Sequence, residues 1–221
     1  MMTAPFVNIH THAETGDGIE LVNLDDFVAA PCATFASAGL HPWNVGKCDH
    51  QKALAAIENL CQNGKLTAVG EIGIDRAIDT DISLQMSIFK QQLDIAKRYH
   101  LPVIIHCVRA YSDFLQILRQ KPVVPMIFHG FSGNATTAEQ LLAHSARLSF
   151  GHKLLTDSKL QSVFANVPND CIFLETDTKQ LGISDIYTFA AGLKRISADE
   201  LKAIIFNNLT RLFGDRWTTV G

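Results

Sequence analysis

The chain has 221 residues, 47% of them hydrophobic, and sets 19 Lys and Arg against 22 Asp and Glu for a formal net charge of −3. That length supports one domain with a substantial core over residues 1–221, and the slight negative charge excludes a global attraction for polyanions. Five cysteines, Cys32, Cys48, Cys61, Cys107 and Cys171, are scattered without a CxxC pair, which excludes a disulfide framework and a thiolate zinc site and fits a reducing compartment.

The opening MMTAPFVNIHTHAE has no basic region followed by an apolar one, and no later run has the length of a membrane span. A cytoplasmic protein with no membrane association and no obligate protein partner is expected. Short β-type runs follow in chain order at FVNIH, GIELVN, ATFASAG, LTAVGEIGI, PVIIH, PMIFH, RLSFG and CIFLE, most of them apolar on both faces. Helix-length segments lie between the later runs. Leu54, Ile57, Leu60 and Cys61 lead to a stop at Gly64, and Ile88, Leu93, Ala96 and Tyr99 end before Pro102. The last helix opens on SADE, where Ser197 and Glu200 fit a capping box, and places Leu201, Ile204, Ile205, Leu209 and Leu212 on its inner face. Strands alternating with helices predict a parallel sheet, and eight of them predict a (β/α)8 TIM-type barrel. The links THAETGDG and LDDFVAAPC are too short for packed helices, so the barrel is expected to be trimmed after its first two strands. Residues 13–32 should hold no helix longer than about two turns.

Barrel enzymes place their chemistry at the C-terminal ends of the strands. His10 and His12 sit one residue apart, which on a strand puts both imidazoles on one face. The fourth run reaches Glu71, the fifth His106, the sixth His129 and the eighth Asp177. All six are metal-ligand types, and a cation would offset the cost of clustering ionisable groups in a buried mouth.

HTH, GLHP, GEIGID, PVIIHC, FHGFSG, LETD and a closing NNLTRLFG occur in an order that resembles the TatD-type metal-dependent hydrolases, a deoxyribonuclease family within the amidohydrolase-like barrels. The resemblance runs from about residue 7 to 214. It implies two divalent metal ions (Mg, Mn or Zn) at the barrel mouth, with His10, His12 and Asp177 on one, His106 and His129 on the other, and Glu71 bridging both. Asn8 replaces the usual Asp, Thr178 and Lys179 replace the usual small residue and proline, and the stretch from HTH to GLHP is much shorter than in the family. An arginine usual two residues after the fifth-strand histidine comes here three after His106, as Arg109.

Such a site suits phosphodiester hydrolysis by a two-metal activated water. Glu71 and Asp177 are the expected catalytic residues, Glu71 as the bridge and Asp177 as ligand or as acceptor of the water's proton. His41, Arg109 and His152 are the expected substrate contacts, and Lys153 could add positive charge beside His152. Trp43 and Phe131 could stack a base or simply pack, while Cys107 points away from the mouth by strand alternation. Cleavage of single-stranded DNA, with DNA as a transient partner, is the first expectation. Hydrolysis of a small amide, ester or phosphate is the second, and a non-catalytic metal-binding barrel the third.

Overall fold

The computed structural model describes residues 3–25, 35–121 and 124–214. All eight expected strands form: β1 (Val7–Thr11), β2 (Ile19–Asn23), β3 (Ala36–Ala38), β4 (Ala68–Asp75), β5 (Val103–Val108), β6 (Met126–Phe128), β7 (Arg147–Phe150) and β8 (Ile172–Leu174). They pair in sequence order, each neighbour parallel. The sheet curls until β1 meets the chain just beyond β8. There Thr11 bridges Asp177, whose N–H donates to the His10 carbonyl at 3.0 Å, and the His12 N–H donates to the Asp177 carbonyl at 3.3 Å.

Helices α1 (His50–Gln62), α2 (Ile82–Arg98), α3 (Tyr111–Leu118), α4 (Ala135–Ala143), α5 (Ser158–Asn166), α6 (Ile183–Lys194) and α7 (Ala198–Phe213) cover the outside. Asp49 and Asp81 cap α1 and α2 by accepting from Lys52 and Leu84 N–H, and α1 ends at Asn63 before Gly64 at φ 64°. The expected capping box of α7 is present. Its buried face carries Leu201, Ile205 and Leu209 as expected, but Ile204 and Leu212 lie only half-buried at its edge. Asn208 and Phe213 fill that space instead, the Asn208 amide donating to the Asn169 and Ile172 carbonyls at 2.8 and 3.0 Å. With both polar hydrogens satisfied, Asn208 ties α7 to β8 at no desolvation penalty.

The first link is trimmed as expected. Residues 12–18 hold no helix, and the Glu20 carboxylate closes the loop by accepting from Thr15 N, Thr15 Oγ1 and Gly16 N, each at 2.8 Å. Most of the second link, from residue 26 to 34, lies outside the described residues. Among the described residues no helix is long and apolar enough to cross a membrane.

Every residue of β1 and β4 is buried, as expected for strands with side chains inside the barrel and helices outside. Burying each Val, Ile or Leu there contributes about 1.5–3 kcal/mol.

Candidate metal centre

At the C-terminal mouth the side chains of His10, His12, His41, Glu71, His106, His129 and Asp177 converge. Their ligand atoms form three overlapping groups, His10 with His12 and Asp177, His10 with Glu71 and His129, and His41 with Glu71 and His106, each within 4.8 Å. Nε2 of His10 stands 3.4 Å from Glu71 Oε2 and 3.7 Å from Asp177 Oδ1, and Nε2 of His12 stands 3.8 and 3.7 Å from the same two oxygens. Donors on one cation with bonds of about 2.0–2.2 Å stand about 3–3.5 Å apart, so this side is spaced for a shared ion rather than for direct hydrogen bonds.

Glu71 does not close its strand, as the sequence led one to expect. β4 continues through Asp75, and a register shift between Val69 and Ile72 turns Glu71 into the mouth from mid-strand. Gly73 makes this approach practicable, since a Cβ there would meet the His106 carbonyl oxygen at 1.9 Å. Asp177 lies beyond β8 at φ 54°, a conformation Asp tolerates. Asn8 helps to hold it, donating to Thr176 Oγ1 at 2.8 Å and accepting from Thr176 N at 3.0 Å. A carboxylate at position 8 could not make the first of these bonds.

The groups behind the imidazoles set their protons. A carboxylate only accepts, so His106 donates from Nε2 to Asp75 Oδ2 at 3.2 Å, His129 from Nδ1 to Glu175 Oε1 at 3.4 Å, and His12 from Nδ1 to Asp25 Oδ1 at 3.2 Å. In each neutral ring the lone pair then faces the mouth, the arrangement that suits a metal ligand. His41 is the opposite case. Its Nδ1 accepts from the Trp43 backbone N–H at 3.1 Å, which leaves the proton on Nε2, 3.2 Å from Glu71 Oε1. Burial lowers its pKa and keeps it neutral.

Two features show that a cation fits. Glu71 Oε1 lies 2.5 Å from both His106 Nδ1 and His129 Nε2, a carboxylate and two lone pairs that repel unless a positive charge offsets them, at the span of a charge-assisted hydrogen bond and closer than two donors on one ion. With no cation present, protons supply it. Burial alone would lower His129, but the Glu71 and Glu175 carboxylates hold it well above the usual imidazole range. Burial likewise would raise Glu71, yet His129 together with the His10, His106 and His12 side chains holds it well below the usual carboxylate range. The second feature is His10, fully buried with neither ring nitrogen hydrogen-bonded; each such omission costs about 1–3 kcal/mol, and a bound ion would satisfy Nε2, which faces Glu71 and Asp177.

Two clefts meet at this cluster. One, of about 440 Å³, is lined by His12, Asp25, His41, Trp43, Glu71 and Asp177 among others. The other, of about 160 Å³, is lined by His129, Phe131, His152, Lys153, Glu175 and Asp177 among others. His152 and Lys153 thus reach the mouth, on a short 3-10 helix after β7, while burial and the neighbouring Lys179 and Lys153 lower the His152 pKa. Arg109 does not reach it. It lies one residue beyond the end of β5 at φ 53°, exposed and outside the lining of both clefts. Phe131 packs in the core against Phe150 and Tyr111. Trp43 is 54% exposed and does not. Cys107, expected to point away from the mouth, lines the smaller cleft half-buried, with its thiol pushed up to about 12 by burial, so it supplies no thiolate. Asp75 and Glu175, which orient two of the rings, were unassigned in the sequence reading although GEIGID and LETD contain them.

Similarity to known proteins follows the same lines. The family described as TatD related DNase matches residues 20–214. The metal-dependent hydrolase YabD of Bacillus subtilis is 29% identical over 88% of this chain and 81% of its own. A 3'-5' ssDNA/RNA exonuclease TatD of Musicola paradisiaca is 28% identical over 78% of this chain and 68% of its own. The crystal structure of YjjV, a TatD homologue of Escherichia coli, superposes with a TM-score of 0.85 at 25% identity, covering 96% of this chain and 99% of that one. The chain belongs to the TatD related DNase family of metal-dependent hydrolases.

Proposed function

We propose that the chain is a divalent-metal-dependent phosphodiesterase that trims single-stranded DNA. The observation that carries this reading is the set of imidazoles turned lone pair inward by carboxylates around Glu71, an arrangement that answers to cations and not to water alone. A relative named as a single-stranded DNA and RNA exonuclease supports the substrate class.

In this reading His10, His12 and Asp177 would hold one cation, His106 and His129 a second, and Glu71 would serve both. Cations bound there supply Lewis-acid activation of water and neutralise charge on the leaving oxygen. The chain's own groups do the rest. Asp177, its side chain 30% exposed, takes the proton of the attacking water. His41 would donate a hydrogen bond from its Nε2–H to a phosphoryl oxygen in exchange for its contacts with Glu71 and His106. Lys153 draws the phosphate toward the smaller cleft, where His152 offers it a hydrogen bond.

The deciding experiment is turnover of an end-labelled single-stranded oligonucleotide beside a panel of small esters, amides and phosphates, each with magnesium, manganese and zinc. Oligonucleotide cleavage lost to chelator and restored by metal is expected. Turnover of the small substrates alone would replace this reading with a small-molecule hydrolase, an alternative favoured by the absence of Arg109 from the mouth and by the acidic Asp25 on its wall.

A further inference from the structure

Trp43 combines two properties that rarely coincide. The residue is 54% exposed, the one large hydrophobic residue so exposed among the described residues, and it forgoes much of the free energy that burial of an aromatic ring contributes. Yet both of its N–H groups are spent on holding the site. The backbone N–H donates to His41 Nδ1 at 3.1 Å and the indole Nε1–H to the buried Asp75 Oδ2 at 2.7 Å. Its ring centroid stands 4.9 Å from that of His41 and 6.2 Å from that of His106, both in T-shaped contact. The polar edge is therefore pinned inward while the ring helps to wall the larger cleft, which also contains Glu71, His129 and Asp177.

We infer that the Trp43 indole is a stacking platform for a nucleobase whose phosphodiester lies at the donor cluster. This rests on the phosphodiesterase reading above and adds the substrate feature that the mouth selects. The occupant follows from chemistry. A cluster built for cations takes an anionic ester, and of the common phosphodiesters only nucleic acids carry a planar π-face beside every phosphate. A headgroup or sugar phosphate has none to offer a ring already fixed in place. Stacking also tolerates any base, which suits an enzyme that must advance along a strand. Two residues apart, His41 and Trp43 would then grip one nucleotide, His41 at the phosphate and Trp43 at the base.

Trp43 and Trp217 are the only tryptophans, so in a Trp217→Phe background indole emission reports Trp43 alone. That protein, loaded with manganese, is titrated with a short single-stranded phosphorothioate DNA and with the same backbone bearing abasic tetrahydrofuran residues. Base-bearing DNA should quench the emission and bind tighter than abasic DNA by on the order of tenfold, whereas abasic DNA leaves the emission unchanged. By anisotropy of labelled DNA, Trp43→Ala should erase the preference and Trp43→Phe, which keeps a ring but no indole N–H, should retain most of it. Equal affinity of the unsubstituted protein for the two DNAs, or no quenching by either, overturns the proposal without reliance on any variant. Equal weakening of both DNAs by Trp43→Ala also overturns it and assigns Trp43 to support of Asp75. Failure of the phosphodiesterase reading looks different: quenching by base-bearing DNA with no hydrolysis of unmodified DNA under any metal.

Discussion

The backbone N–H of Trp43 donates to Nδ1 of His41, and this bond decides what His41 is able to do. Its Nε2 lies 3.2 Å from Glu71 and 3.1 Å from His106 Nδ1, well inside the range of a shared ion. A neutral imidazole has one lone pair, however, and that of His41 is already engaged. His41→Ala should therefore lower turnover on the order of 10²-fold, the usual cost of a lost oxyanion donor, with cation content unchanged by elemental analysis. His41→Gln, which returns an N–H, should recover part of the rate. A cation lost together with the imidazole would make His41 a ligand and refute the assignment.

Asp75 receives three N–H groups, from His106, Trp43 and Ala77. An asparagine has one carbonyl oxygen and would turn its NH2 toward one of these donors. Asp75→Asn should weaken one cation-binding step by about 10- to 100-fold, the usual effect of removing a ring's supporting carboxylate. Glu175→Ala, which removes the oxygen that accepts from His129 Nδ1 and Gly130 N, should act in the same way through His129. Isothermal titration with manganese resolves the steps, and isotherms unchanged in both variants would show that the carboxylates do not set the rings.

The charges at the mouth give a signed pH dependence. His129 is held above its ordinary 6.5 by Glu71 and Glu175 despite burial, so its stabilisation is complete below about 6.5 and fades as pH rises through the folded value. Glu71 is held below its ordinary 4.5, so its contribution is present above about 4.5 and fades as pH falls through the folded value. With chelator the thermal midpoint should accordingly drop on the alkaline side. Manganese competes with protons for the same nitrogens, so the gap between manganese and chelator curves should widen as pH rises from about 6 to 9. Scanning calorimetry reads both, and a gap independent of pH would mean that imidazoles are not the ligands.

Gly73 offers a test of packing alone. A Cβ at this position meets backbone, the His106 carbonyl at 1.9 Å, and not the movable tip of a side chain. Gly73→Ala must part β4 from β5 where Glu71 and His106 face each other. A loss of about 3 kcal/mol or more in denaturant unfolding is expected; a loss under about 1 kcal/mol would show the strands able to shift.

Strands were legible because those buried on both faces read as unbroken apolar runs, and the six donor types were legible because each stands within or just beyond such a run. What lies between strands was not. The carboxylate pairs Glu71 with Asp75 and Glu175 with Asp177 are visible as spacings, but which imidazole each one meets depends on pairing across β4, β5 and β6. Glu71 was expected at a strand end because a register shift leaves no mark in composition. The proton on His41 depends on the turn that brings the Trp43 N–H behind it, and Trp43 beside Pro42 reads as an ordinary packing residue until its exposure is seen. Arg109 shows a related lesson: its one-residue offset was visible, but the left-handed turn just past β5 that carries it was not.

Glu71 is the residue on which the whole centre turns. Its two oxygens contact opposite halves of the cluster, Oε2 facing His10 and His12 and Oε1 facing His41, His106 and His129. Removing the carboxylate takes a ligand from both halves at once and leaves any two cations to repel without an intervening negative charge. Glu71→Ala should abolish occupancy by two cations in elemental analysis and cut oligonucleotide turnover by on the order of 10³-fold or more. Glu71→Gln separates charge from shape, since it keeps the side chain's volume among the rings and one acceptor oxygen. It should fold as the parent does, retain at most one cation and remain as inactive as Glu71→Ala. Cleavage that survives either substitution, with chelator present, would place the chemistry elsewhere in the molecule.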